Sequence, residues 1–255
     1  MSKDYESSYD SWDSKGISKN VSEEVMSFGK VFGDDDREQV TDVQIPPYNA
    51  IWRLHIIIGG IAYGGTGYMI KPGVLLTAGH NIYSRKSGEF TNVYAIDREG
   101  GKHEVYGLYV PKEFERFNTA EYDWAVIKIA TDPGKTYSCI DIINMDNPIV
   151  PSVLENDAEI AGFPVKVRDV TTKAMYKEAG KLIGYDNNTK TLKYKIDTSG
   201  GNSGSPVIVY VETKPYAIGI HVKATGTNAG ENGYNFARAI DDKIVEVIKK
   251  FAGEV

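Results

Sequence analysis

The sequence has little cysteine and no long apolar run, and each absence excludes a class of protein. The single cysteine among 255 residues, Cys139, excludes an intramolecular disulfide framework and a zinc cluster built from cysteines. No pattern around Cys139 indicates a nucleophile, so we expect a small buried apolar residue there. No stretch approaches about 18 consecutive apolar residues, so we expect neither a membrane-spanning segment nor a membrane partner.

The sequence also lacks an excess of basic residues. Its net charge is −6, from 29 Lys and Arg against 35 Asp and Glu, and most of this charge lies in the first forty residues. Because binding to a phosphate backbone requires clustered Lys and Arg, we predict no nucleic acid partner. The four histidines form no zinc-like spacing with Asp or Glu, so we predict no metal and no cofactor, and we interpret His55 and His103 as structural.

Residues 1–30 are rich in Ser, Asp, Glu and Lys and have no sustained hydrophobic period. Such a composition cannot bury enough apolar surface to offset chain entropy, so we predict a flexible leader or propeptide. The segment is not a Sec signal as written, because no apolar core of about 7–15 residues follows a basic start.

What the sequence does contain is 26 Gly, 17 Tyr and many short apolar runs separated by turns rich in Gly, Pro and Asp. Short strands punctuated in this way predict an all-β protein. We predict a first barrel within residues 48–130, a connection at 131–152 and then a second barrel. The predicted strands are residues 51–58, 68–70, 74–77, 92–96, 103–110, 124–129, 158–162, 174–180, 182–185, 192–196, 206–210, 217–222 and 234–237.

Near the end of the chain the apolar pattern changes from strand to helix. Apolar residues recur at helical spacing from Ile240 to Phe251. Asp241 and Asp242, near the beginning of this stretch, suit a helix start. We predict one amphipathic helix packed on the second barrel.

Residues 197–207 place Ser203 between glycines, after one strand-like run and before another. A serine hydroxyl is a poor nucleophile at neutral pH, so a catalytic serine needs a nearby base and donors for the oxyanion. Gly201 has no β-carbon and can turn its N–H, together with that of Ser203, toward a single point. The alternative interpretation is a simple Gly, Ser and Asn turn between two strands.

A base and a carboxylate that can orient it lie upstream. His80 ends a buried-strand pattern, and Asp123 opens another strand-like run. An imidazole can accept the serine proton near neutral pH, while a carboxylate on its other nitrogen fixes the tautomer and stabilises the imidazolium. Taken singly, His80 is also compatible with a structural histidine and Asp123 with a turn residue.

Five segments of the chain together resemble the chymotrypsin-like serine peptidases, above all the bacterial glutamyl endopeptidases and the related staphylococcal exfoliative toxins. The likeness covers roughly residues 31–251, and the segments occur in the family's order at similar spacings, with Asp123 43 positions after His80 and Ser203 80 positions after Asp123. The segments are residues 77–80, 123–125, 162–164, 200–206 and 219–221.

The resemblance implies two six-stranded antiparallel β-barrels with a C-terminal α-helix. It implies an N-terminal barrel at residues 31–135 carrying His80 and Asp123, and a C-terminal barrel at 136–255 carrying Ser203. In the family's roles, His80 is the general base, Asp123 orients it and Ser203 is the nucleophile. The backbone of Gly201 and Ser203 then forms the oxyanion hole.

Residues 31–42 resemble the mature amino terminus of the glutamyl endopeptidases, which begins with a valine. Cleavage after Lys30 by a trypsin-like protease would free the amine of Val31, which in the family helps to bind the substrate carboxylate, so the intact chain would be a zymogen. The alternative is an acidic surface loop.

Substrate specificity follows from the same resemblance. The family binds an acidic side chain with a threonine five residues before the nucleophile and a histidine in the following strand, here Thr198 and His221. Hydrogen-bond donors are needed there because a desolvated, unpaired carboxylate is costly. The family's two glycines after the histidine are replaced by Lys223 and Ala224, and Lys223 either adds positive charge or points to solvent. His221 is also compatible with a purely structural role.

From these features we predict a secreted, monomeric serine endopeptidase that cleaves protein or peptide substrates after Glu and less readily after Asp. Its expected second partner is an activating protease, and no signal peptide is evident in the sequence. Two alternatives remain: a catalytically silent binding or toxin module, in which a flipped Gly200–Gly201 peptide collapses the oxyanion hole, and a broad-specificity serine hydrolase.

Overall fold

The computed structural model describes residues 29–117, 119–147, 153–224 and 233–254. The predicted leader therefore lies outside the described residues except for Gly29 and Lys30. The described segments form the two six-stranded antiparallel β-barrels and the C-terminal helix that the sequence predicted.

The first half of the chain closes a barrel on its own. Its elements are β1 (Glu38–Gln39), a 3-10 turn (Tyr48–Ala50), β2 (Ile51–Ile58), β3 (Ile61–Lys71), β4 (Val74–Thr77), α1 (Gly79–Ile82), β5 (Tyr83–Ser84), β6 (Glu89–Phe90), β7 (Asn92–Ile96), β8 (Lys102–Tyr109), α2 (Lys112–Arg116) and β9 (Ala125–Ile129). The barrel strands follow the order β2-β3-β4-β9-β8-β7 around the ring, and alternate side chains of β2 such as Trp52, Leu54 and Ile56 point into the core.

The second half of the chain closes a second ring. Its elements are β10 (Asp141–Ile142), β11 (Asp157–Gly162), β12 (Lys166–Val167), β13 (Val170–Thr171), β14 (Tyr176–Asp186), β15 (Thr191–Tyr194), β16 (Pro206–Val211), β17 (Lys214–Ala224), β18 (Asn235–Ala239) and α3 (Asp242–Ala252). The ring follows the order β14-β11-β16-β17-β18-β15 and returns to β14. Strand β1 extends it by pairing with β14, and β10 lies parallel to β17.

Strand β14 differs from its prediction, which divided it into two strands. Its first half pairs with β11 and its second half with β15, and a register shift separates Leu182 from Gly184. A single strand therefore changes partners at the bulge, which closes the barrel without a chain break. The predicted turn after it is present, since Asp186 Oδ1 accepts the N–H groups of Asn188 and Thr189.

The C-terminal helix begins as predicted but packs on a different surface. Asp241 caps α3 by accepting the N–H of Ile244 at 3.0 Å. Its buried face joins the core between the barrels, and its nearest strands are β4 and β9 of the first barrel. The prediction that it packs on the second barrel was wrong, because the outward side chains of Val74 and Val126 in the first barrel provide the apolar surface that the helix covers.

Three apolar clusters hold this fold together. One fills each barrel, and the third lies between them and contains fully buried Tyr68 and Trp124. Tyr68 of the first barrel also donates its hydroxyl to the Gly219 carbonyl of the second at 3.2 Å. The barrels are thus joined along a packed seam, and side chains at its edge come from both.

The prediction that Cys139 is buried was also wrong. Its side chain is exposed in the connection between the barrels rather than buried, because the preceding residues run along the surface before Ile140 enters the core. In the part of the chain that the structure describes, no helix is long and apolar enough to cross a membrane.

Candidate active site

His80 and Asp123 meet because their strands are paired. In the β4–β9 ladder Thr77 lies opposite Ala125, so the residues just after β4 and just before β9 lie at the same end. His80 occupies the one-turn helix α1, and Asp123 precedes β9. A β-carbon on Gly79 would lie 3.2 Å from Asp123 Oδ1, so a glycine allows this close approach.

The Asp123 carboxylate holds His80 by both its ring and its backbone. Oδ2 lies 2.8 Å from His80 Nδ1, and Oδ1 accepts the His80 backbone N–H at 2.9 Å. Both residues are buried. A carboxylate at Nδ1 favours the tautomer with the proton on that nitrogen, which makes Nε2 the basic nitrogen of the ring.

Ser203 lies in the turn before β16, and groups of the first barrel hold it there. Its carbonyl oxygen accepts hydrogen bonds from Thr66 N and from Asn81 Nδ2, each at 2.9 Å. As a result Ser203, His80 and Gly201 line one small cavity between the barrels. The His80–Asp123 hydrogen bond is formed in this structure. The Ser203 hydroxyl is buried and has no hydrogen-bond partner in the described ranges, so it is not bonded to His80.

The Gly200–Gly201 peptide has a defined orientation. The Gly200 carbonyl accepts a hydrogen bond from Val165 N at 2.7 Å. Because the C=O and N–H of a trans peptide point in opposite directions, the Gly201 N–H points away from Val165. Among the described residues, no acceptor bonds to the N–H of Gly201 or of Ser203. Both N–H groups can therefore donate to a further acceptor, and Gly201 (φ +98°) adopts a conformation that favours glycine.

His221 lies next to the Ser203 turn and is buried with Tyr194. Its backbone N–H donates to Ser205 O and its carbonyl accepts from Gly204 N, each at 2.8 Å. Its ring Nδ1 lies 2.6 Å from the Tyr194 hydroxyl, and both side chains are fully buried. Burial raises the pKa of Tyr194 well above its usual value, so the hydroxyl keeps its proton and is able to donate it to Nδ1.

Thr198 is covered by Gly29 and Lys30, the end of the predicted leader. Its N–H donates to Lys30 O at 3.0 Å, and Lys30 also exchanges two hydrogen bonds with the Asn235 side chain, at 2.9 and 3.1 Å. A β-carbon on Gly29 would lie only 2.6 Å from Thr198 Oγ1, and this hydroxyl is buried without a partner in the described part of the chain. Val31 lies between Lys30, bonded to Thr198, and Phe32, whose N–H donates to Asp197 Oδ1 at 2.8 Å.

Lys223 lies two residues beyond His221 on β17, half-buried and across a register shift in the β17–β18 ladder. Residues 225–232, which follow it, are outside the described residues. The structure therefore brings His80, Asp123 and Ser203 together at one cleft and holds His221 beside the Ser203 turn.

The carboxylates of Glu178 and Asp197 lie close together next to Thr198. Glu178 Oε2 accepts the Asp197 N–H at 2.8 Å. Burial and the neighbouring charge of Asp197 raise the pKa of Glu178 to about 7. Burial also raises the pKa of Asp197, although the N–H groups of Phe32 and Asp36 oppose this effect by donating to it.

Sequence reasoning missed three side chains that support the site: Asn81, Tyr194 and Arg37. Asn81 directly follows His80, and a polar residue at that place in an otherwise apolar segment was the signal available. Tyr194 lies in the middle of the predicted strand 192–196, where an aromatic residue is usually part of the apolar core, and it is the last residue of the observed strand β15. Arg37 lies in an acidic stretch of sequence that gives no sign of burial, yet its side chain is only 3% exposed.

The chain matches the protein-family model described as Trypsin over residues 40–248. It is 28% identical over 241 residues to a glutamyl endopeptidase of Bacillus licheniformis, covering 91% of this chain and 72% of that protein. It is also 27% identical over 249 residues to a Bacillus subtilis protein named extracellular metalloprotease, covering 93% and 74%. Within the described ranges, no group of three or more His, Cys, Asp or Glu side chains is placed to hold a metal ion.

Solved structures share the fold. The structure of a Glu endopeptidase in complex with MPD matches with a TM-score of 0.68 at 27% identity, over 89% of this chain and 100% of that one. The protease Anisep from Arthrobacter nicotinovorans matches with a TM-score of 0.65 at 16% identity, over 86% and 100%.

Proposed function

Because this chain belongs to the trypsin family and is a serine endopeptidase, we propose that it cleaves peptide bonds after Glu, and less readily after Asp, with Ser203 as nucleophile. The observation that carries the catalytic assignment is that His80, whose ring is bonded to Asp123, lines one cavity together with Ser203. The glutamyl endopeptidase relative and the Thr198 and His221 side chains support the substrate preference.

In the proposed mechanism the Ser203 hydroxyl attacks the scissile carbonyl and passes its proton to His80 Nε2. The Asp123 carboxylate stabilises the imidazolium that forms. The oxyanion of the tetrahedral intermediate accepts hydrogen bonds from the N–H groups of Gly201 and Ser203. His80 then protonates the leaving amine, and water hydrolyses the resulting acyl-enzyme with His80 again as base.

Selection of Glu rests on donors that replace the water around the substrate carboxylate. With Tyr194 donating to Nδ1, the neutral His221 ring carries its proton on Nε2 and is a hydrogen-bond donor. The buried Thr198 hydroxyl supplies a second donor. Lys223, on the same strand as His221, would add positive charge at the edge of this pocket.

The intact chain is, in this proposal, a zymogen activated by cleavage after Lys30. Gly29 lies against the Thr198 hydroxyl and Lys30 O accepts the Thr198 N–H, so in this proposal a substrate carboxylate cannot reach Thr198 until the two residues leave. Val31 lies between two residues hydrogen-bonded to the 197–198 segment, so a new amine at Val31 would form next to the pocket. This positive charge would then attract the substrate carboxylate.

The enzyme is, in this proposal, secreted and monomeric, and its partners are a protein substrate and an activating protease. The name of the Bacillus subtilis relative, extracellular metalloprotease, supports secretion.

The test is to digest a denatured protein with the chain cleaved after Lys30 and to sequence the ends of the products. Cuts after Glu support the proposal, and cuts after many residue types favour a broad-specificity hydrolase. An absence of cuts favours a binding module with no activity. The matched control is Ser203→Ala, which should remain folded and produce no cuts; if it cuts, Ser203 is not the nucleophile.

A further inference from the structure

Arg37 is a buried arginine that bonds to the loop before Ser203 from a distant part of the chain. Its Nη1 donates to Ser199 Oγ at 2.6 Å and to Asn202 Oδ1 at 3.4 Å. Its Nη2 donates to the Lys166 carbonyl at 3.2 Å. The charge is balanced by the Asp35 carboxylate, which accepts Nε at 2.8 Å and Nη2 at 2.7 Å.

These acceptors lie on both sides of the Gly200–Gly201 peptide. Ser199 and Asn202 close the loop on each other, because Ser199 N donates to Asn202 Oδ1 and Asn202 N donates to Ser199 O. Lys166 directly follows Val165, whose N–H holds the Gly200 carbonyl at 2.7 Å. One guanidinium group therefore ties together the loop that carries the oxyanion donors and the segment that sets the direction of its peptide.

Only a planar fork with several N–H donors can bond to all of these groups at once. A lysine at position 37 would keep the charge beside Asp35 but present a single ammonium, so it would lose at least part of the contact with Ser199, Asn202 and Lys166. The contact is also made by a residue that follows Val31, so it remains in a chain cleaved after Lys30.

We infer that Arg37 is a positioning residue for the oxyanion hole, which fixes the direction of the Gly201 N–H by bonding to Ser199, Asn202 and Lys166. This inference rests on the proposed function, in which the Gly201 N–H binds the oxyanion. An N–H that is misdirected weakens binding of the transition state more than binding of the substrate, because the substrate carbonyl does not yet carry the charge. The expected signature is therefore in kcat rather than in KM.

The experiment compares wild type, Arg37→Lys and Ser199→Ala, all cleaved after Lys30, on one peptide substrate. Complete loss of an oxyanion donor costs about 10²–10³ in kcat, so we expect a partial loss of about tenfold or more for Arg37→Lys, with KM within about twofold. The inhibition constant of a peptide aldehyde, whose hemiacetal oxygen occupies the oxyanion hole, should rise by a similar factor. Arg168→Met is the matched control, since Arg168 bonds to the carbonyls of Asp35 and Arg37 but not to the Ser199 loop.

Ser199→Ala removes one end of the same contact and keeps the test decisive if Arg37→Lys does not fold. If both residues act through this contact, the double variant loses no more activity than the more impaired single variant. An unchanged kcat in a folded Arg37→Lys or Ser199→Ala enzyme would overturn the inference, as would a change confined to KM and the melting temperature. Inactive wild type would instead contradict the proposed function, because Arg37 acts only through a working Ser203.

Discussion

Replacing Tyr194 by Phe removes one oxygen atom and tests whether His221 selects an acidic substrate. The Tyr194 hydroxyl lies 2.6 Å from His221 Nδ1, and neither side chain is exposed. In the proposed pocket this hydroxyl fixes the tautomer in which Nε2–H points at the substrate carboxylate. Phe fills almost the same space, so the change affects the hydrogen bond with little loss of packing.

The magnitude follows from the cost of leaving a buried polar group without its partner. Loss of the Tyr194 donor to the buried Nδ1 should cost about 1–3 kcal/mol. For a chain of 255 residues each kcal/mol lowers the melting temperature by about 2–4 °C, so a decrease of roughly 2–12 °C is expected. If the same energy is lost in transition-state binding of a Glu substrate, kcat/KM falls by roughly 5-fold to 150-fold.

The assay measures kcat/KM on two peptides that differ only in Glu or Gln before the scissile bond. Gln has the shape of Glu without the charge and presents both a donor and an acceptor, so it depends less on the His221 tautomer. We therefore expect Tyr194→Phe to lower the ratio of the Glu to the Gln rate. Tyr185→Phe is the matched control, because its hydroxyl contacts Asn187 in a distant hairpin at 3.3 Å. An unchanged ratio in Tyr194→Phe would refute the assignment of His221 to the pocket.

Three further predictions use the same structure. Asp123→Asn should lower kcat by about 10⁴-fold without unfolding the chain, because an amide favours the wrong His80 tautomer; steady-state kinetics near pH 7 would reveal a smaller loss if Asp123 only buttresses the fold. Lys30→Gln should keep the intact chain inactive after trypsin treatment that activates wild type, and equal activity of the two would remove the zymogen proposal. Glu178 has its pKa raised to about 7, so the protonated form stabilises the fold and this stabilisation is lost as the pH rises toward and through 7. Glu178→Gln should therefore flatten the decrease in melting temperature between about pH 5 and 8, and an unchanged slope would argue against Glu178 as its source.

Much of the fold could be read from local patterns. The predicted strands at residues 51–58, 74–77 and 92–96 have the bounds found in the structure, because alternation of apolar residues and turn-forming residues is a local property. The cap of α3 was likewise predicted, since Asp241 binds a backbone N–H only three residues away. The chain was also predicted to be a chymotrypsin-like serine endopeptidase, and the matches to the Trypsin family and to a Glu endopeptidase structure confirm it.

In the candidate site, too, residues in recognisable short segments could be predicted and contacts between distant segments could not. His80, Asp123 and Ser203 were chosen because each lies in a recognisable short segment, and the structure brings the three to one cleft. Their catalytic roles stay a prediction, as does the oxyanion hole of Gly201 and Ser203. Tyr194 was missed because its partner is 27 residues away in sequence, and nothing in either strand indicates that the two side chains touch.

By itself, the sequence determined where most of the barrel strands lie, where the helix begins and which residues are candidates for the chemistry, because periodicity, turns and caps act over a few residues. Only the tertiary structure decided that α3 covers the first barrel, that Gly29 and Lys30 cover Thr198, and that Arg37 reaches the loop before Ser203. Arg37 and Ser199 are 162 residues apart, and their contact exists because the closed barrels bring distant loops together. A pairing of that kind depends on the geometry of the whole chain, so no short stretch of sequence contains it.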